Sequence, residues 1–218
     1  MSTVQKTKQQ LQEHLRDSRK EALRAYGRRG QIIEAAEVLF SERGYHGTTM
    51  RDIAAETGIL PGSLYAHIES KEDILLEICT AAAAQFMIGL EIVTGGPWPP
   101  AEKLRRAMRA HVDVVARARE AARVFLEEWT ALSEARREEV RALRDRYEAL
   151  WDGIIREGIR TGAFRKMDRR FARLLVLSAA NWTYTWYDPG GPLSPNEIAD
   201  RFTDLLLDGL ATKEGAKR

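Results

Sequence analysis

Residues 48–75, TTMRDIAAETGILPGSLYAHIESKEDIL, bring together side chains whose chemistry suits contact with a nucleic acid. Hydroxyl, phenol and imidazole groups can donate hydrogen bonds to phosphate oxygens or base edges, and an ammonium group can meet a phosphate as a point charge. A glycine beside them permits close approach of the backbone. The residues that supply these groups are Gly62, Ser63, Tyr65, His67 and Lys71. The alternative is an ordinary helical hairpin in which the phenol and imidazole rings are half buried.

Two short helices joined by a sharp turn are predicted to hold these groups. Thr49 can cap the first helix, about residues 50–57, and Asp52 can return the bond in a capping box. Gly58 ends that helix because glycine enters the left-handed conformation at little steric cost. Pro61 suits the first turn of the second helix. This helix-turn-helix layout predicts DNA contacts from Thr48, Thr49, Arg51, Pro61, Gly62, Ser63, Tyr65, His67 and Lys71.

Residues 30–75 resemble the N-terminal domain of tetracycline-repressor-like regulators, the TetR family. The matching stretches are AAEVLFSERGYHGTTMRDIAAETGI and GSLYAHIESKEDIL. The resemblance implies a three-helix DNA-binding head, a larger all-helical ligand domain, and a homodimer on a pseudo-palindromic operator in double-stranded DNA. Many members carry lysine at the position of Pro61, so this chain lacks one phosphate contact there. Lys71 and the N-terminal residues are then expected to carry more of the phosphate attraction.

Composition limits the class of protein. No segment of the 218 residues alternates as a strand would, which predicts an all-α protein. No apolar stretch of about 18 residues lacks charges and no apolar signal region is present, so no membrane contact is expected. Cys79 is the one cysteine, which excludes an intrachain disulfide and favours a reducing cytoplasm. Scattered histidines and the absence of catalytic or phosphate-loop motifs predict no metal site, no cofactor and no enzyme activity.

Charge is unevenly distributed along the chain. Residues 1–29 have a net charge of +5, whereas residues 30–71 have a net charge of −3. We therefore expect residues 1–27 to form a basic helical extension that helps attract phosphates. The alternative is a helix or disordered segment that never touches DNA. The predicted domains are this extension, the DNA-binding head at 28–75, and a ligand-binding and dimerisation domain at 76–218.

Helical periodicity organises the rest of the chain. Apolar spacing and breaks predict helices at about 28–43, 71–93, 101–118, 120–133, 134–161, 168–187 and 195–211. The last two helices could form a four-helix bundle between protomers, which would set two recognition helices about 34 Å apart on DNA. A monomer that buries both helices internally is the alternative.

Aromatic residues are concentrated in the second domain and could line a cavity for an apolar ligand. For each ring the alternative is ordinary core packing, and two of them could instead be dimer contacts. The predicted ligand-binding rings are Phe86, Phe125, Trp129, Tyr147, Trp151, Trp182 and Trp186.

The C-terminal stretch LLVLSAANWTYTWYDPGGPLSPNEIADRFTDLLLDGL resembles a branch of the TetR family whose effectors are acyl-coenzyme A thioesters. The resemblance implies a repressor of fatty-acid or related degradation genes that the thioester releases from DNA. Arginine forks suit coenzyme A phosphates, so Arg105, Arg109 and Arg123 are the predicted mouth of the pocket. Two alternatives stay open: a TetR-like regulator of a hydrophobic drug-like ligand, and a helical partner-binding protein without DNA function.

Overall fold

The computed structural model describes residues 27–209, and this part of the chain contains helices and no β-strand. The all-α prediction is confirmed. The predicted extension at 1–27 falls outside the described residues except for Gly27. The helices are α1 (Gly27–Arg43), α2 (Met50–Glu56), α3 (Pro61–Leu64), α4 (Lys71–Gly95), α5 (Pro100–Arg117), α6 (Arg119–Glu127), α7 (Glu134–Thr161), α8 (Arg169–Asn181), α9 (Thr183–Trp186) and α10 (Pro195–Asp208), with a 3-10 turn at Trp129–Ala131 between α6 and α7.

Local sequence explains where several helices begin and end. Helix α2 starts in the predicted capping box, in which Thr49 and Asp52 each satisfy a backbone N–H of the other. The same device starts α10, with Ser194 and Glu197 as the pair. Gly58 has φ of +66°, a left-handed conformation that side chains other than glycine rarely adopt. These signals act within one turn of helix, which is why the sequence alone could locate them.

The chain divides into two compact units. Among the described residues 27–209, the first unit contains those up to Cys79 together with Arg123–Arg137, and the second contains Thr80–Ala122 and those from Glu138 onward. The predicted division between residues 75 and 76 placed residues 123–137 in the second domain, but they pack with the first. Helices α4, α6 and α7 each continue from one unit into the other.

Polar contacts within the first unit hold residues 123–137 there. Glu128 Oε2 accepts a hydrogen bond from the Tyr45 backbone N–H at 3.0 Å. Glu72 Oε1 accepts one from the Ser133 backbone N–H at 2.7 Å. Arg136 forms ion pairs with Asp73 and with Glu72. These partners are about 60 to 80 residues apart in the chain, too far for any local pattern to reveal.

Each unit has its own buried core. In the first, α1 supplies Ile32 and Phe40, α2 supplies Ile53, and α3 supplies Leu64, all at most 1% exposed. In the second, α5 packs along α10 and also contacts α8 and α9. The buried side chain of Trp151, on α7, belongs to this second core.

Helix α4 is long and apolar enough to span a membrane by length and composition, and 44% of its apolar window is buried. Buried core helices of soluble proteins often have the same length and apolar composition. Ile78 and Leu90 of this helix are at most 1% exposed, so its apolar composition contributes to the packing of the protein. The apolar composition is therefore weak evidence for a membrane span.

Candidate functional site

The residues after the turn at Gly58 present an exposed surface. Leu64 and Ile68 are buried and anchor α3 to the first unit, while Pro61, Gly62, Ser63, Tyr65 and His67 are all exposed. The regular helix ends at Leu64, three residues before His67. The backbone beyond it winds more tightly, since the His67 N–H bonds to the Leu64 carbonyl three residues earlier, at 3.0 Å. The predicted contact side chains nevertheless share this exposed surface.

The start of α2 adds two further exposed residues from the predicted set. Thr49 donates to Asp52 Oδ2 at 2.6 Å and accepts from the Asp52 backbone N–H at 3.2 Å. These bonds from Thr49 hold the pKa of the Asp52 carboxyl below its usual range. Arg51 is exposed in the same turn. Thr49 therefore orders the end of the helix, and Arg51 is an exposed cationic side chain there that could reach a phosphate.

Thr48 was predicted to contact DNA, and the structure places it elsewhere. Its side chain is completely buried. Its hydroxyl lies within hydrogen-bond distance of the Gly44 carbonyl at 3.0 Å and the Leu39 carbonyl at 3.3 Å. The hydroxyl thus ties the loop after α1 to the end of that helix, and it does not face solvent.

Lys71 is also used inside the first unit. Its ammonium donates to the Thr48 carbonyl at 2.7 Å and the Tyr45 carbonyl at 2.8 Å, and it lies 4.2 Å from the centre of the Tyr45 ring. Partial burial lowers the pKa of Lys71. The predicted role as a phosphate contact is therefore corrected: two of its three protons hold the loop that precedes α2.

Replacement of Lys71 by methionine should lower the free energy of unfolding by about 1–3 kcal/mol, because the Tyr45 and Thr48 carbonyl groups each lose a partly buried hydrogen bond from its ammonium. Urea unfolding followed by circular dichroism would measure the change, with exposed Arg51→Met as the matched control. If Lys71→Met left the urea midpoint unchanged and weakened the salt dependence of DNA binding, Lys71 would be a DNA contact after all.

Arg29 is a residue that the sequence analysis missed. Its guanidinium donates to the His67 carbonyl at 2.7 Å and pairs with Glu77 at 2.5 Å. Arg29, which lies on α1, therefore holds in place the segment that carries Tyr65 and His67. No signal in the sequence links Arg29 to residues so distant in the chain.

Four rings form a cluster in the second unit, which we call the aromatic cluster: Phe86, His111, Tyr147 and Trp151. Phe86 lies 4.7 Å from the His111 ring and 5.8 Å from the Tyr147 ring, centre to centre. Trp151 lies 6.3 Å from both His111 and Tyr147. The structure thus brings together three of the seven predicted ligand-binding rings and adds His111, which the predicted set lacked.

Burial controls the ionisation of the aromatic cluster. Burial lowers the pKa of His111 to about 3, against a smaller opposing effect of the Asn181 side chain. It also raises the pKa of Tyr147 well above its usual value. Both groups are therefore neutral at pH 7, and the Tyr147 hydroxyl lies 2.8 Å from His111 Nδ1. The Asn181 side chain also forms a hydrogen-bonding interaction with His111, and the Trp151 indole forms one with the Tyr147 hydroxyl.

The other four predicted rings lie elsewhere. Phe125 and Trp129 belong to the first unit. Trp182 and Trp186 are 62% and 46% exposed, so they do not line the aromatic cluster. The sequence pattern could not separate these locations, because aromatic residues at helical spacing suit a core, a ligand pocket and an interface equally well.

The three arginines predicted to form the mouth of a ligand pocket do not lie together. Arg109 makes a two-bond ion pair with Asp200 of α10, with both nitrogen–oxygen distances 2.7 Å. Arg105 pairs with Asp204 at 2.6 Å and with Asp200 at 3.4 Å. Arg123 lies in the first unit and pairs with Glu127 one helical turn away. Arg105 and Arg109 thus join α5 to α10, and Arg123 belongs to a different part of the molecule.

The ion pairs on α10 predict a pH dependence of stability. Hydrogen bonds from Arg109 hold the pKa of Asp200 below its usual range, with burial opposing. A carboxyl whose folded-state pKa is lowered stabilises the fold above its unfolded pKa, about 3.9, and that stability is lost as pH falls through the folded pKa. Asp200→Asn should therefore lower Tm by a few degrees at pH 7 and by less at about pH 3, below the unfolded pKa. Asp208→Asn, an exposed change on the same helix, is the control for thermal scans at both pH values, and an equal loss at the two would contradict the argument.

Helix α8 and Trp182, the residue that follows its last turn, carry an exposed apolar stripe, which we call the α8 stripe. Phe171, Leu174, Leu175 and Trp182 are between 46% and 70% exposed and recur at spacings that place them on one side of the helix. Leu205 of α10 is a further exposed apolar residue, at 51%. Large exposed apolar patches of this kind mark interaction surfaces.

Among the described residues 27–209, no group of three or more His, Cys, Asp or Glu side chains is placed to hold a metal ion. The first unit offers exposed hydrogen-bonding side chains after the turn at Gly58. The second unit contains a buried cluster of aromatic side chains.

Comparison with known proteins gives the family. Residues 32–78 match the model "Bacterial regulatory proteins, tetR family", and residues 97–210 match "Tetracyclin repressor-like, C-terminal domain". The HTH-type transcriptional repressor KstR2 of Rhodococcus jostii is 31% identical over 85% of this chain and 92% of its own length. The fatty acid metabolism regulator protein of Bacillus subtilis is 27% identical over 84% of this chain and 95% of its own.

A solved structure agrees in fold over both units. AibR, determined in complex with isovaleryl coenzyme A and operator DNA, has a TM-score of 0.74 and 28% identity, covering 81% of this chain and 96% of its own. The two matched family models together cover the exposed turn and three of the four rings of the aromatic cluster, while Phe86 lies between the two matched ranges. The chain belongs to the TetR family of transcriptional regulators.

Proposed function

We propose that this protein is a homodimeric transcriptional repressor that binds a pseudo-palindromic operator and is released by an acyl-coenzyme A thioester. Its targets would be genes of fatty-acid or related acyl-coenzyme A degradation. The observation that carries the proposal is the likeness to AibR, whose complex contains both isovaleryl coenzyme A and operator DNA. The names of KstR2 and of the fatty acid metabolism regulator support the repressor role and the metabolic setting.

DNA recognition would use the exposed turn of the first unit. Ser63, Tyr65 and His67 offer hydroxyl, phenol and imidazole donors, and Gly62 lets the backbone approach the groove. Arg51 would meet a phosphate at the start of α2. Thr48 and Lys71, which are held by internal hydrogen bonds, would support this surface from behind. Such a protein would act in the cytoplasm, where a bacterial chromosome lies.

Dimer formation would use the α8 stripe with Leu205 of α10. Its exposed apolar side chains would be buried against the same stripe of a second copy, as a two-fold interface requires. Two recognition surfaces per dimer would then reach successive major grooves, about 34 Å apart.

Release would follow from a shift between two conformations of the dimer. Helices α4, α6 and α7 run from the unit that holds the aromatic cluster into the unit that holds the DNA surface. An effector that binds the DNA-incompetent form about a hundredfold better favours that form by about 3 kcal/mol per site. The protein's part is to bind and move, and no catalytic step is involved.

The test is a competition between operator and effector. Binding sites would be selected from random duplexes, and the chosen duplex titrated by fluorescence anisotropy in the presence of acyl-coenzyme A thioesters of several chain lengths, with free coenzyme A as control. We expect a chain-length-dependent loss of affinity that coenzyme A alone does not cause. If no thioester lowered the operator affinity more than free coenzyme A does, the proposed effector would be wrong. Failure to select any duplex would contradict the DNA-binding role.

A hydrophobic effector without phosphates is the second candidate, and the ion pairs of Arg105 and Arg109 favour it. Both guanidinium groups are engaged by α10 carboxylates and do not form the predicted mouth. Comparison of an acyl-coenzyme A with the matching acyl-pantetheine separates the two candidates, because only the first carries the nucleotide phosphates. Equal potency of the two ligands would favour an effector recognised by its apolar part.

A further inference from the structure

Leu60 is the most exposed of the large apolar side chains in the described residues 27–209, at 76%. It precedes Pro61, Gly62 and Ser63, which are also exposed and belong to the surface proposed to read DNA. Single exposed apolar residues are common on proteins, so exposure alone decides nothing. Leu60 differs from them because it lies on a surface whose other side chains are suited to DNA contact.

The residue type of Leu60 does not help the fold at this position. Leu60 stands immediately before α3 with an extended backbone, and its side chain caps no backbone N–H of the helix. Serine, threonine, aspartate or asparagine in the same place would accept such a hydrogen bond and stabilise the fold. A side chain that departs from the stabilising choice and stays exposed is expected at a functional position.

The backbone holds Leu60 in a fixed place. Its carbonyl accepts hydrogen bonds from the N–H of Ser63 at 2.9 Å and from the N–H of the fully buried Leu64 at 3.3 Å. The N–H of the preceding Ile59 donates to the carbonyl of Ala54, which is also fully buried, at 3.0 Å. An ordered backbone therefore presents the side chain, and a partner that buries it need not first order the turn.

The chemistry of the major groove limits what can cover an apolar side chain there. Phosphates are charged and most base edges carry hydrogen-bonding groups, none of which leucine can satisfy. The C5-methyl group of thymine is the apolar group that a base pair presents in this groove, and cytosine lacks it. Residues at the start of a recognition helix are those that contact base edges, and Leu60 lies in that part of the motif.

We propose that Leu60 packs against the C5-methyl group of a thymine in each operator half-site, which makes Leu60 a specificity-determining residue for that base pair. The assignment rests on the proposed DNA-binding function and adds a base that each half-site must contain. Ser63, Tyr65 and His67 supply the polar contacts of the same surface, and Leu60 supplies the apolar one.

The experiment replaces thymine by deoxyuridine, which pairs in the same way and lacks only the methyl group. Operator duplexes selected with the full-length protein would carry this replacement at one thymine position at a time, in both half-sites. Their affinities would be measured by fluorescence anisotropy. The loss of one buried methyl group should weaken binding by the wild type about fourfold per half-site at the position that Leu60 contacts.

Two variants assign the effect to Leu60. Leu60→Ala shortens the side chain and should bind the thymine and deoxyuridine duplexes of that position with equal affinity. Leu60→Ser should lose the same preference while its hydroxyl caps α3 and keeps or raises Tm, so the loss cannot come from unfolding. Ile88→Ala removes an exposed apolar side chain of α4 and is the matched control, which should keep the full preference.

The outcomes separate this assignment from the DNA-binding role itself. A selected operator without thymine, or equal affinity of the wild type for every thymine and deoxyuridine pair, would overturn the methyl contact, and neither result needs a variant to fold. Persistence of every thymine preference in Leu60→Ala and Leu60→Ser would overturn the role of Leu60. Failure of the wild type to select any duplex would overturn the proposed function and this assignment together.

Discussion

Replacement of Leu175 and Trp182 together by glutamate is expected to convert the proposed dimer into a monomer and to lower operator affinity at least about a hundredfold. Both side chains lie on the α8 stripe, 60% and 62% exposed. Four carboxylates facing one another across a two-fold interface would each lose hydration without a cation to compensate. A monomer would contact only one half-site, so the second set of groove contacts would be lost.

Light scattering would give the mass, and anisotropy with the selected duplex would give the affinity. Ile88→Glu with Ile92→Glu is a matched control, because these isoleucines are equally exposed, at 60% and 65%, but lie on a different helix, α4. The control should stay dimeric. A dimeric α8 variant, or a monomeric control, would contradict the assignment of the stripe as the interface.

Trp151→Ala is expected to lower the free energy of unfolding by about 3–5 kcal/mol, a large share of the roughly 5–15 kcal/mol typical of folded proteins. The side chain is fully buried and contacts the aromatic cluster from α7. Its removal leaves a cavity and also deprives His111 and Tyr147 of a neighbouring ring. Denaturant unfolding monitored by circular dichroism would measure the change.

Two comparisons sharpen this prediction. Trp151→Phe keeps a ring of smaller volume and should cost markedly less, which distinguishes cavity formation from loss of the indole N–H. Trp186→Ala, at a position 46% exposed, should cost little in a monomeric background. A loss in Trp151→Ala no greater than that in Trp186→Ala would contradict the central position of Trp151.

The features predictable from sequence were those encoded within a few turns of helix. The 28-residue helix Glu134–Thr161 was predicted at the bounds that the structure shows, because its apolar spacing is long and uninterrupted. The capping box of Thr49 and Asp52 was predicted for the same reason. Such signals fix elements and their ends without reference to the rest of the fold.

The features that sequence reasoning missed depend on contacts between distant residues. Lys71 and Arg109 have the residue types that bind phosphate, but carbonyls and a carboxylate of their own chain satisfy them. Thr48 follows a turn, where side chains are commonly exposed, yet its hydroxyl points inward. The residue type shows which groups a side chain can bind. Only the folded structure shows whether another group of the same chain already occupies it.

The two-part make-up of the first unit, described above, has a consequence for synthesis and for engineering. On the ribosome, the contacts of Tyr45, Glu72 and Asp73 with Glu128, Ser133 and Arg136 cannot form until the chain has grown past residue 136. An N-terminal fragment that stops at residue 79 would lack all three partners. A chimaera that transplants this DNA-reading unit onto another sensor must therefore carry residues 123–137 as well, even though more than forty residues separate them from the rest of the graft.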